Sequence, residues 1–70
     1  MKMKSIYILS VINTDEDYGF DMYYSSLENA QTFISNNFNY DNPRKIDETL
    51  FEGKNNKYVI EEMPFNQMTL

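Results

Sequence analysis

The side chains able to do chemistry in this chain are serines, tyrosines, lysines and carboxylates, because it contains neither histidine nor cysteine. Ser5, Ser10, Ser25, Ser26 and Ser35 are candidate nucleophiles, but no imidazole is present to take a proton from them. Acid–base work near neutral pH would fall to a carboxylate, lysine or tyrosine with a strongly shifted pKa. The expectation is a non-enzyme, with no catalytic residue and no cofactor. The missing cysteines also exclude a disulfide framework and a thiolate metal site.

Asp15-Glu16-Asp17-Tyr18-Gly19-Phe20-Asp21 invites a calcium reading. An EF-hand loop requires glycine at its sixth position and glutamate at its twelfth. Counted from Asp15, these positions hold Phe20 and Ser26, so a solvated acidic turn is expected and no metal site. Gly19 and Gly53 are the only glycines, too few for a phosphate-cradling loop. A helix N-terminus at Ser25 could hold an anion, but Glu28 already occupies its first turn and would repel a second negative group.

Carboxylates instead form three clusters: Asp15/Glu16/Asp17/Asp21, Asp47/Glu48/Glu52 and Glu61/Glu62. Six tyrosines and five phenylalanines in 70 residues exceed what a small core hides, and tyrosine combines apolar area with a polar tip, a chemistry favoured at interfaces. Asp15, Asp17, Asp21, Glu48, Glu52, Glu61, Tyr7, Tyr23 and Tyr58 are therefore the candidate partner-binding residues. An acidic stripe across the last hairpin is one reading of the carboxylates, as in proteins that mimic nucleic acid. Solvated edge strands that discourage aggregation are the other.

The elements that must position these residues follow from periodicity. Lys4–Asn13 reads as a strand with Ile6, Ile8 and Ile12 on one face and Tyr7, Leu9 and Val11 on the other, so both faces are apolar and the strand is internal. Thr14–Asp17 is a turn, and Tyr18–Tyr24 alternates as a second strand. Ser25-Ser26-Leu27-Glu28 reads as a capping box, with Ser25 the cap and Glu28 reaching back to its amide. Leu27, Ala30, Ile34 and Phe38, with Phe33 beside them, recur at helical spacing, which predicts a helix over residues 26–37 closed by a left-handed asparagine. Asn39–Lys45 is a polar loop. Asp47–Glu52 and Lys57–Met63 are strands joined at Gly53–Asn56, and residues 64–70 are a tail.

The fold expected is thus α+β, a single two-layer ββαββ domain over residues 1–70, with four mainly antiparallel strands and one helix on one face. One helix covers one face, so Tyr7, Leu9, Val11 and part of the aromatic row of the second strand need another cover. A homodimer through the open face or a sheet edge would supply it; alternatively Phe65, Met68 and Leu70 of the tail fold back.

Six basic against eleven acidic residues give a net charge of −5. This disfavours direct nucleic-acid binding, which rests on cationic contacts to phosphate. It suits a basic protein surface, including one that normally binds nucleic acid. No apolar run reaches membrane-spanning length, and the Met1-Lys2-Met3-Lys4 start lacks the long apolar stretch of a signal peptide. A cytoplasmic protein with no membrane partner is expected. Nine asparagines among many Lys, Ile and Tyr suggest an AT-rich coding sequence, as in many phages.

Ile6-Tyr7-Ile8-Leu9, then Tyr24-Ser25-Ser26-x-Glu28-x-Ala30, then Tyr58-Val59-Ile60-Glu61-Glu62 resemble a group of small uncharacterised bacterial and phage ββαββ proteins across residues 4–63. The resemblance implies the fold and brings no catalytic residues. The function expected is a small acidic interaction module, encoded by a phage or mobile element, that binds and inhibits a host or defence protein. The alternative is a self-assembling homodimeric accessory protein.

Overall fold

The computed structural model describes residues 5–16 and 18–64. They form strands β1 (Ser5–Asn13) and β2 (Tyr18–Tyr24), helix α1 (Leu27–Asn37), a 3-10 turn (Asn39–Asp41), and strands β3 (Arg44–Asp47), β4 (Leu50–Glu52) and β5 (Asn56–Pro64). The strands make one antiparallel sheet in the order β2-β1-β5-β4-β3, with α1 against one face. The α+β class is as the sequence implies, and β1 is internal, as its two apolar faces require.

Five strands replace the four expected. The segment read as one strand over 47–52 holds the end of β3, a turn and β4, and the rest of β3 lies in and just after the segment read as a polar loop over 39–45. Glu48 N–H donates to Asp47 Oδ1 at 2.7 Å, which tightens the turn at Glu48-Thr49. β3 is an exposed edge strand with a bulge at Ile46, between paired Lys45 and Asp47. It lacks the alternation that marks a half-buried strand, so its sequence reads as loop.

The helix faces the side of the sheet that was expected to stay open. Tyr7, Leu9 and Val11 point toward α1, and Leu9, Val11, Ala30, Ile34, Phe51, Tyr58 and Ile60 form the core. Cross-strand register explains the choice. Leu9 pairs with Met22 and Ile60, and Val11 with Phe20 and Tyr58, giving one contiguous apolar patch. On the opposite face Ser10 lies beside Asp21, Ile8 beside Glu61 and Ile12 beside Lys57, so no comparable patch forms there.

The helix cap shifts by one residue. Ser26, not Ser25, is the N-cap, and its hydroxyl accepts from Asn29 N–H at 3.1 Å. Ser25 Oγ accepts from the Asn29 side-chain amide instead, and no bond from Glu28 to Ser25 closes a capping box among the described residues. Both serines offer the same chemistry; Ser26, extended at φ −148°, is the one whose carbonyl accepts the first helical bond, from Ala30 N–H. The helix ends on Phe38 at φ −120°. The left-handed asparagine is Asn42, at φ 52°, closing the 3-10 turn.

Candidate functional site

Two features stand apart from the apolar core. One is the open sheet face; the other is a knot of hydrogen bonds where three turns meet.

The open face is laid out in cross-strand rows. Ile6 and Met63 form the first, Tyr23, Ile8 and Glu61 the second, and Asp21, Ser10, Val59 and Leu50 the third. Ile12, Lys57, Glu52 and Arg44 form the fourth, beside Gly19. Tyr23 is 65 % exposed, Ile12 39 % and Met63 36 %. Apolar side chains therefore cluster in the first two rows at Ile6, Met63, Ile8 and Tyr23, with Ile12 set apart in the fourth row beyond Ser10 and Asp21, and with carboxylates at Asp21 and Glu61. Tyr23 and Glu61 sit two strands apart, roughly 10 Å.

Of the residues singled out from the sequence, Asp21, Glu52, Glu61 and Tyr23 share this face. Glu52 lies in register between Arg44 and Lys57, so its row alternates in sign rather than forming an acidic stripe. Glu48 is elsewhere, on the β3–β4 turn. Lys45 Nζ lies 2.9 Å from its Oε1, and Gln31 Nε2 donates to its backbone oxygen at 2.8 Å and to Oε2 at 3.2 Å. The hydrogen bond from Lys45, then that from Gln31, holds the Glu48 carboxyl below the usual range. Asp15 is exposed on the β1–β2 turn. Tyr7 is half-buried against the core. Asp17 and the tail from Phe65 lie outside the described residues. Tyr58 is completely buried, so it belongs to the core and not to a contact surface.

The buried knot centres on Asp41, which sequence reasoning passed over as a loop acid. Its carboxylate accepts from Asn55 N–H (2.7 Å), Asn56 N–H (3.1 Å) and the Tyr58 hydroxyl (2.7 Å). Its backbone oxygen accepts from Lys54 N–H at 2.9 Å. Asn56 Nδ2 donates to the Tyr58 hydroxyl, and Asn13 Nδ2 to Asn56 Oδ1, both at 3.3 Å. Asn13 Oδ1 accepts from Asp15 and Glu16 N–H, and Thr14 N–H and hydroxyl donate to Asn55 O. The knot thus joins the 3-10 turn, the β4–β5 turn and the β1–β2 turn. Every buried polar side-chain atom in the described residues has a partner, which is the condition for burying such a network. Burial, the largest influence, raises the Tyr58 hydroxyl pKa well above the ordinary tyrosine value; the Asn56 bond opposes this and Asp41 reinforces it. The signal available beforehand was a glycine followed by Lys-Asn-Asn, a turn whose amides need an acceptor.

Among the described residues no three carboxylates converge as metal ligands, and no helix is long and apolar enough to cross a membrane. No protein-family model, curated protein or solved structure matches the chain.

Proposed function

We propose that the chain is a small protein-interaction module that docks a partner protein on the open face of its sheet and modulates it. The observation that carries this reading is the exposure of Tyr23, Met63 and Ile12 on this one face, with half-buried Ile6, Ile8 and Val59 among them. A row of aromatic and branched side chains bounded by Asp21 and Glu61 has the composition of an interface: apolar at its centre, charged at its rim. Its complement is an apolar surface flanked by lysine or arginine, and the net charge of −5 favours such a partner through steering. The asparagine-rich composition and the resemblance to small phage proteins support a phage or mobile-element origin. With such an origin, the partner proposed is a host or defence protein in the host cytoplasm.

Paired baits test the reading. Wild-type protein and an Ile12→Asp/Tyr23→Ala variant, both exposed positions, are offered to a bacterial lysate. A specific protein held by the wild type and lost from the variant is expected; the same set on both baits overturns it.

A second reading is self-association through the same face. It is favoured by the row Arg44–Glu52–Lys57, whose alternating signs can meet a second copy of the face. Light scattering at tens of micromolar separates the two, because only self-association gives a dimer without any partner.

A further inference from the structure

We propose that the chain carries a second recognition site, a pocket for the guanidinium group of an arginine side chain, on the helix side of the sheet beside the Asp41 knot. A cavity of about 110 Å³ opens there between β2, the end of β1 and the segment after α1, lined by Val11, Asn13, Phe20, Phe38, Tyr40 and Asn56. Three of its walls are aromatic rings. Phe38 packs edge-on against buried Tyr58 at 5.1 Å and inclines toward Tyr40 at 6.0 Å, so the core fixes Phe38. Phe20 and Tyr40 are 46 % and 72 % exposed, large apolar losses to water that a ligand would recover. Aromatic faces carry negative quadrupole potential, and a cation held among several of them is attracted to each.

The sign of the surroundings selects a cation. Behind Asn56 and Tyr58 lies the buried Asp41 carboxylate, and the one ion pair among the described residues, Lys45–Glu48, is elsewhere. Asp15 and Glu16 are exposed on the turn that Asn13 caps. Lys54, on the neighbouring β4–β5 turn, is the basic side chain of this corner and is outweighed by these carboxylates. Asn56 Oδ1 accepts one bond, from Asn13, and retains a lone pair for an incoming N–H donor. A flat, weakly hydrated guanidinium lies against aromatic rings at less desolvation cost than an ammonium, and in this open pocket its remaining N–H groups stay in water.

The test needs no partner and is independent of the open sheet face. Blocked arginine (N-acetyl-arginine methylamide) is titrated into the isotopically labelled protein at low salt, with blocked citrulline, the uncharged ureido isostere, as control. Saturable shifts of the Asn13 and Asn56 side-chain amides are expected, with a Kd on the order of 10 mM, and none from citrulline. Tyr40→Ala, at an exposed position, is expected to weaken binding about five-fold, whereas Tyr40→Phe keeps it. Equal shifts from citrulline, shifts confined to Asp15 and Glu16 and indifferent to Tyr40, or no saturable shift would each overturn the assignment.

Discussion

The Tyr58 hydroxyl donates to Asp41 Oδ2 at 2.7 Å, and this bond fastens the central strand β5 to the turn that follows the helix. Neither residue is exposed; Asp41 also accepts from two backbone amides, whereas the Tyr58 hydroxyl proton has this one acceptor. Asp41→Ala strands two buried donors, Asn56 N–H and the Tyr58 hydroxyl, at about 1–3 kcal/mol each, and a part-buried third at Asn55 N–H. A core of this size supplies only about 3–5 kcal/mol net. The variant is therefore expected to be largely unfolded by circular dichroism at 25 °C. Tyr58→Phe removes one donor to the carboxylate and the acceptor of Asn56 Nδ2 but leaves both backbone amides bonded to Asp41, so a smaller loss, about 1–2 kcal/mol in urea denaturation, is expected. Equal losses from both would mean that the carboxylate is not the centre of the knot.

Gly53 is the steric counterpart of this arrangement. A Cβ built on it would overlap the Asp41 carboxylate, while its φ is not positive, so its freedom from a side chain matters and its backbone freedom does not. Gly53→Ala is expected to cost about 2 kcal/mol through overpacking. In the Asp41→Asn background, where the knot is already weakened, the same change is expected to cost less. Strict additivity in the double-mutant cycle would show that the two do not touch.

Alkaline stability reports on the same hydroxyl. Its pKa is raised in the folded chain, so the folded state favours the neutral phenol while an unfolded tyrosine ionises near its ordinary value of 10.0. The stabilisation is complete below that value and is lost progressively as pH rises above it. Urea midpoints are expected to be flat from pH 7 to about 9.5 and to fall beyond. Tyr58→Phe should flatten most of that fall, leaving the smaller part due to Tyr24, whose pKa burial also raises. An unchanged alkaline slope in Tyr58→Phe would exclude the buried phenol as its source.

What the sequence discloses and what it hides divide along a physical line. β1, β2 and the stripe Leu27, Ala30, Ile34, Phe38 could be read because burial imposes a period, two in strands and nearly four in helices. β3 could not, since Arg44, Lys45, Ile46 and Asp47 are all exposed and burial imposes nothing on them. Which face of β1 receives the helix is a property of register with β2 and β5, and no single strand contains it. Tyr23 and Tyr58 are alike as residue types, yet one is 65 % exposed and the other fully buried. Asp41 was invisible for a related reason: its partners at Asn55, Asn56 and Tyr58 are fourteen to seventeen residues away.

Two adjacent serines at the start of α1 offer the last discrimination. Ser26 Oγ accepts from the Asn29 backbone amide at 3.1 Å, whereas Ser25 Oγ meets only the Asn29 side chain. The first contact satisfies one of the orphan N–H groups at a helix start; the second satisfies none. Ser26→Ala is expected to lower stability by about 1 kcal/mol, and Ser25→Ala by less than about 0.5 kcal/mol. Thermal denaturation of the two variants side by side measures the difference. The reverse order would move the cap back to Ser25 and restore Glu28 as its reciprocal partner, since a capping box requires the glutamate three residues after the cap.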